Sequence, residues 1–356
     1  MKKLQVVCLT YNHEKYIRQA LDGFVMQKTR FPFEVLIGDD ASTDKTPEII
    51  QEYAKRYPDI IKPFLRKKNL GAQQNSLDLL RRVNAEYLAL CEGDDYWTDP
   101  QKLQIQVDFL DKHINYNGCW HNAEIVKELN VKEWNTDFYF PADKRGHQYW
   151  PNSIVGFKKN RKTFTLFDIL DGPIATASIV YRYPKNFEYP EWFGTALAGD
   201  RAMHSLMIQD SCFAYINKTM SVYRVSKTGV WFNKNNSKNL VNEIKEWVDF
   251  IKKLNATMGH KYDKVFQRYL ESYYAENLDQ AIDNKMVKLL QFILNENPKL
   301  FLKKLKNFKQ AKKFSHKIFK RPWISIVSDG TKAKLYLFGI RLLNMKRLYK
   351  KDEDEK

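Results

Sequence analysis

Cysteine is scarce in this sequence: Cys8, Cys91, Cys119 and Cys212 stand far apart, with no C-x-x-C pair. That spacing excludes a zinc knuckle and a disulfide framework, and it suits a reduced compartment. Long apolar runs are missing too. No stretch approaches the ~20 residues of a membrane-spanning helix, and the opening MKKLQVVCLTYNHEKY turns polar too early for a signal peptide. A cytoplasmic location is therefore expected. The 14 glycines include no G-x-G pair and no G-x-x-x-x-G-K-[ST], so the phosphate-cradling loops of dinucleotide-binding and P-loop folds are absent. Any phosphate bound here must be neutralised in another way.

Apolar side chains for a core are present: of 356 residues, 44% are hydrophobic and 14% aromatic. Disorder throughout is excluded. At ~100 to 200 residues per domain, the length suggests two domains or one large domain with an appendage. The net charge is +17, which fits nucleic acid, an anionic membrane surface or a polyanionic substrate. Its location separates these. Residues 1–300 carry a net +5, residues 301–351 carry +15, and the last five residues carry −3. In the basic segment, Phe301, Leu302, Leu305 and Phe308 recur at helical spacing among Lys303, Lys304, Lys306 and Lys309. This pattern reads as a basic amphipathic helix suited to an anionic membrane. KLYLFGIRLLNMKRLY follows, with Gly339 between two apolar runs, as in a small hairpin. A solvated basic face packed on the domain is the alternative.

The N-terminal half alternates strand and helix patterns. Leu4–Leu9 is a continuous apolar run before a helical pattern from Glu14 to about Met26, and Phe33–Gly38 is a second run before Thr46-Pro47-Glu48 opens a helix. Ile60–Leu65, a turn at Asn69–Gly71, a helix over 72–83 and a strand over 87–91 repeat the unit. Asp99-Pro100 then caps a helix reaching about His113. Strands separated by helices imply a mainly parallel sheet covered on both faces. In such sheets ligands sit beyond the carboxyl ends of the strands. Thr10 to Asn12, Asp39 with Asp40, and Asp94 with Asp95 all follow strands, so one crevice is expected to gather them. Asp94 and Asp95, two residues after Glu92, are hard oxygen ligands suited to Mg²⁺ or Mn²⁺ shared with substrate phosphates. Alone, such a pair is as readily a helix cap.

LQVVCLTYNHEKYIRQALDGFVMQ, FEVLIGDDASTDKT, NLGAQQN and AEYLALCEGDDYWTDPQKLQIQ together resemble the family 2 glycosyltransferases of the GT-A fold, of the kind that build cell-surface polysaccharides. The resemblance covers about residues 3 to 232. Glu92 stands where many relatives have the first Asp of the metal motif. The resemblance implies that Thr10, Tyr11 and Asn12 line a nucleotide pocket and that Asp39 contacts the base, often uracil. Asp94 would lie by the ribose and metal, with Asp95 the stronger ligand of Mn²⁺ or Mg²⁺. Packing for Tyr11 and turn formation for Asp39 are the alternatives.

Farther on, 126–162 reads as an insertion near the acceptor side, and Ile174–Tyr181 reads as a strand. Gly199-Asp200 opens a helix where the family carries its catalytic base. A sugar hydroxyl is a poor nucleophile, and an aspartate can remove its proton during attack; a helix N-cap is the alternative role for Asp200. SVYRVSKTGVW resembles a loop whose basic residues reach the diphosphate, making Arg224 and Lys227 candidates. Val225 and Ser226 stand where relatives often have a nearby His. A lone His at a strand end is usually structural, so His121 stays outside the catalytic set. The expected organisation is a GT-A domain over 1–232, a helical region over 233–300 and a basic amphipathic segment over 301–356. The expected partners are a nucleotide-sugar donor, a glycan or lipid-linked acceptor, and the inner face of the cell membrane through residues 301–351. Two rivals are weaker. A nucleotidyltransferase would need a glycine-rich basic loop where LTYNHEKY stands, and nucleic-acid binding would rest on the basic tail alone.

Overall fold

The computed structural model describes residues 2–127, 148–149, 162–172, 174–226, 240–283, 286–301, 324–328, 332–337 and 340–346. They fall into two units, Met1–Phe266 and Gln267–Lys356.

The first unit is built on one sheet. β1 (Lys2–Thr10), β2 (Phe33–Asp39), β3 (Ile61–Leu65) and β4 (Ala85–Leu90) pair in parallel in the order β3-β2-β1-β4. Parallel neighbours need crossovers, supplied here by α1 (Ile17–Val25), α2 (Thr46–Arg56) and α3 (Ala72–Leu80). Leu4, Val6, Val7 and Cys8 are buried on both faces of β1, which is why the strand reads as an unbroken apolar run. On α1, Ile17, Ala20, Leu21 and Phe24 are buried, the i, i+3, i+4, i+7 stripe of a helix laid on a sheet. α2 begins at Thr46 with Pro47 in its first turn. Its cap comes from Asp44, whose Oδ1 accepts the Thr46 N–H at 2.9 Å.

The sheet continues through β5 (Tyr96–Trp97), β6 (Tyr116–Lys127), β7 (Gln148–Tyr149), β8 (Thr163–Phe164), β9 (Val180–Arg182) and β10 (Cys212–Val225), with α4 (Lys102–Lys112), α5 (Leu166–Asp171) and α6 (Gly199–Ile208) between them. The order beyond β4 is β9-β6-β10-β5, with β7 on β6 and β8 on β10. β6 and β10 run with β1–β4, whereas β9 and β5 oppose them. The sheet is thus mainly parallel with helices on it, as the alternating pattern implied.

One expected strand is shorter than its apolar run. Only Val180–Arg182 pairs, while Thr176–Ser178 forms a 3₁₀ turn. The carbonyls of Ala177 and Ser178 accept from Trp97 Nε1 and Gln106 Nε2, each at 2.9 Å. Ser178 Oγ donates to Ala175 O at 2.7 Å. Side chains remote in sequence therefore take the bonds that a ladder would use.

Beside that turn, Lys102 is fully buried. Its Nζ donates to Gln106 Oε1 at 2.8 Å and lies 4.1 Å from the centre of the Trp97 ring. Burial pulls its ammonium down to about 7, against 10.5 when exposed. The unfolded chain then holds the extra proton between those values, so this group makes stability rise with pH from about 7 to 10.5, by about 1.4 kcal/mol per unit. Lys102→Met should remove that slope and raise stability at pH 7, as read by urea denaturation at pH 7, 8 and 9. Parallel pH profiles for variant and parent would contradict this.

α7 (Leu240–Thr257) buries Ile244, Val248, Phe250, Ile251 and Leu254. α8 (Asp263–Asp283) crosses the boundary between the units. The second unit continues with α9 (Val287–Glu296), β11 (Ile324–Ser328), β12 (Lys332–Leu337) and β13 (Ile340–Lys346). These three strands form an antiparallel sheet, β12 and β13 flanking Gly339. Most of the basic amphipathic segment, 302–323, lies outside the described residues. Among the described residues no helix is long and apolar enough to cross a membrane.

Candidate active site

Two loops meet at the carboxyl ends of β1 and β2. Asp39 is buried, its Oδ1 accepting from Ser42 Oγ at 2.5 Å and its Oδ2 from Ser42 N at 3.1 Å. Burial raises its pKa, and the Ser42 bonds oppose the rise. Asn12 is in the left-handed region at φ 54°, a conformation Asn tolerates better than most residues. Its N–H donates to Ser42 Oγ and its Oδ1 accepts the Thr43 N–H, both at 2.8 Å. Asn12 thus stitches the first loop to the second, with Tyr11 beside it 46% exposed. Asp40 turns away from this loop pair, and its carboxylate accepts the Leu70 and Gly71 amides at 2.7 and 2.9 Å.

Thr10 links this loop pair to the carboxylate loop after β4. A Cβ on Gly93 would stand 2.8 Å from both Cβ and Oγ1 of Thr10, so only glycine allows this approach. The Gly93 N–H donates to Leu9 O at 2.8 Å. Glu92, Asp94 and Asp95 are thereby fixed beside Thr10 at the end of β1. Glu92 keeps some exposed surface, yet desolvation of its carboxyl, then Asp94 and Asp200, push it up to about 8. Asp95 is raised well above the carboxylate range by burial, Asp94 and Glu92, with Arg224 opposing. Its Oδ1 accepts the Arg224 N–H at 2.8 Å. Its buried Oδ2 has no hydrogen-bond partner among the described residues. Arg224 also donates from Nε to Asp94 O at 2.9 Å and from an Nη to Gln19 Oε1 at 2.6 Å, so β10 braces the loop. Among the described residues no three His, Cys, Asp or Glu side chains by themselves form a metal-holding group.

Asp200 sits in the first turn of α6, its Oδ1 accepting the Arg201 N–H at 2.8 Å. Its charge acts on Glu92, Tyr181, Tyr223 and His204. The structure thus draws Asp200 to the same end of the sheet as the Glu92–Asp95 loop, although β4 and α6 are far apart in the chain. Folding has set Glu92 where the charges of Asp94 and of the distant Asp200 penalise its ionisation.

That arrangement has a pH signature. Glu92 titrates near 8 when folded and at 4.5 when free, so between these values the folded state holds more protons. For this group, metal-free stability falls as pH rises through that window, by about 1.4 kcal/mol per unit. Glu92→Gln, which keeps the protonated shape, should flatten the decline between pH 5 and 8 in chelator-treated protein. An unchanged decline would show that Glu92 is not the group responsible.

The family model for glycosyl transferase family 2 matches residues 5–176, spanning every loop just described except that of Asp200 and Arg224. The chain carries a family 2 glycosyltransferase domain. An uncharacterised protein of Mycobacterium tuberculosis is 40% identical over 228 residues, which are 64% of this chain and 60% of that protein. The dTDP-rhamnosyl transferase RfbG of Shigella flexneri is 36% identical over 166 residues, 42% of this chain and 56% of that one. Among solved structures, Staphylococcus aureus TarS 1–349 in complex with UDP-GlcNAc has a TM-score of 0.56 at 17% identity, covering 94% of this chain and 97% of that one. This last similarity is one of fold. The chain spans 60% of the length of the mycobacterial relative.

Two polar groups beside these carboxylates, His13 within the matched residues and Tyr223 beyond them, carried no separable signal in sequence. His13 lies with Nε2 4.0 Å from Asp94 Oδ2 and its amide bonded to Thr46 Oγ1 at 2.9 Å. Tyr223 is raised well above the usual phenol range by burial and by Asp95, Glu92, Asp94 and Asp200. It stands next to Arg224, which the motif alone had singled out. Lys227 and most of the 126–162 insertion lie outside the described residues. His121 is fully buried, with Nδ1 against Asn122 O at 2.8 Å.

Proposed function

We propose that the chain is an inverting, metal-dependent glycosyltransferase that moves a sugar from a UDP-linked donor to a glycan or lipid-linked acceptor in cell-surface polysaccharide synthesis. The observation that carries this reading is the carboxylate loop Glu92–Asp95 packed on Thr10, in which buried Asp95 Oδ2 has no hydrogen-bond partner among the described residues, with burial and neighbouring carboxylates raising Glu92 and Asp95. Buried carboxylates held against their own repulsion suit a cation that arrives with the substrate. The residues fit such an ion. Asp95 offers a buried oxygen without a partner, Asp94 stands beside it, and the donors are hard oxygens suited to Mn²⁺ or Mg²⁺. When bound, the cation would stabilise the charge that builds on the departing diphosphate.

The chain's own residues divide the remaining work. Asn12 and Ser42 hold the loop that carries Asp39, which would accept from the uracil ring, with exposed Tyr11 alongside. Arg224, and Lys227 beyond the described residues, would meet the diphosphate from β10 and the loop after it. Asp200 would take the proton of the acceptor hydroxyl as that oxygen attacks the anomeric carbon, a single displacement with inversion. The TarS complex with UDP-GlcNAc and the dTDP named for RfbG both involve pyrimidine nucleoside diphosphates, which supports that donor class.

The net +15 of residues 301–351 supports peripheral attachment to the inner face of the membrane, where a lipid-linked acceptor would be presented. Titration calorimetry with UDP tests the site. Binding about tenfold or more tighter with Mn²⁺ than with chelator is expected. Equal binding in both would remove the metal from this reading.

A further inference from the structure

The start of α3 lies between the carboxyl end of β2 and the segment leading to Asp200, and it is held there firmly. Asp40 receives the Leu70 and Gly71 amides, and Asn69 Nδ2 donates to Asp40 O at 3.0 Å. One turn on, Asn75 Nδ2 donates to Gly38 O at 2.8 Å while its Oδ1 accepts from Arg66 Nε at 3.1 Å. The first turn of α3 is thus tied at both ends to the carboxyl end of β2, beside Asp39.

Two adjacent glutamines project from that turn onto the segment leading to Asp200. A Cβ at position 199 would stand 2.1 Å from Gln73 Oε1, and one at position 194 would stand 2.4 Å from Gln74 Nε2. Glycine at both places lets the carboxamides lie against the backbone. Gln73 is half-buried and Gln74 exposed. Neither carboxamide has a hydrogen-bond partner among the described residues. Gln73 therefore offers an unused N–H pair and an unused C=O next to Asp200, on an element rooted at the nucleotide side.

We propose that the Gln73 carboxamide reads the transferred sugar, donating and accepting at once to a pair of its ring hydroxyls. This rests on the nucleotide-sugar reading above. A planar amide carries a donor and an acceptor side by side, and a vicinal diol presents the complement. A site that hydrogen-bonds a hydroxyl discriminates against sugars lacking it more strongly than an apolar wall does. The donor, not the acceptor, is its ligand, because α3 is pinned to the strand that carries Asp39.

The test measures affinities of UDP, UDP-glucose, UDP-galactose, UDP-GlcNAc and UDP-GalNAc with Mn²⁺, for the parent, Gln73→Ala and Gly199→Ala. The second variant keeps the amide but pushes its flexible end aside. Both variants should bind UDP as the parent does and keep its melting temperature, while the preference between C4 epimers or between N-acetylated and plain sugars falls about tenfold or more. Gln73→Glu, which loses the donor but keeps an acceptor, should shift the preference rather than erase it. Unchanged UDP binding with unchanged preferences would overturn the role of Gln73 alone. Failure of the parent to bind UDP or any of these sugars would overturn the nucleotide-sugar reading, and this proposal with it.

Discussion

Asp200→Asn should lower kcat by about 10² to 10⁴ while leaving Mn²⁺-dependent UDP affinity within about twofold. Asparagine has nearly the same shape and still presents an oxygen to the Arg201 N–H, the bond that orients residue 200 at 2.8 Å. The start of α6 is therefore kept, and only the ability to take a proton is lost. One turn along α6, His204 is pulled down to about 4, chiefly by burial, and its Nδ1 is hydrogen-bonded to the Tyr181 hydroxyl. A neutral imidazole at pH 7 adds no fixed cation to tie up the carboxylate. Turnover equal to that of the parent would show that the proton goes elsewhere and that Asp200 only starts the helix.

Asp95→Asn should separate stability from function. Without metal, Asp95 is held against burial and against Asp94 and Glu92, so the neutral amide relieves repulsion and should raise the melting temperature of chelator-treated protein. It should also weaken Mn²⁺-dependent UDP binding by more than about 100-fold, because even residues that merely support a metal ligand are worth 10- to 100-fold. The backbone bond from Arg224 to Oδ1 can be kept by the amide oxygen, so a collapsed loop is not expected to explain the loss. Residues that destabilise a fold while serving its chemistry follow this pattern. An unchanged metal requirement would assign the ion to other ligands.

Much of this was legible before folding, for a physical reason. Strands buried on both faces, such as Leu4–Cys8, must be continuous apolar runs, and parallel pairing forces a helix between them. The crevice loops then fall directly after the runs, which exposes Thr10–Asn12, Asp39 and Asp94–Asp95 to reading by position. Contacts made only when distant segments meet were not legible in this way. Ile174–Tyr181 has a strand's composition, but its carbonyls are taken by Trp97 and Gln106. His13 acquires its place beside Asp94 only through the packing of Gly93 on Thr10. Glu92 looked like a conservative exchange of one carboxylate for another. Its perturbation by Asp200 depends on α6 arriving from more than a hundred residues away. Asp40 and Asp39 are equivalent on paper, and only the fold separates the aspartate that holds the turn at Leu70–Gly71 from the one bonded to Ser42.

The central claim is that the carboxylates at the end of this sheet transfer a sugar from a nucleotide with the help of a divalent ion. Nucleotide release from UDP-, dTDP- and GDP-linked sugars, followed with Mn²⁺ and then with excess chelator, tests it most directly. The account predicts release of UDP from at least one UDP-sugar, stimulated by Mn²⁺, abolished by chelation and lost in Asp200→Asn. Release that is indifferent to chelator and to Asp200, or no release from any of these donors by protein shown to be folded, would contradict it.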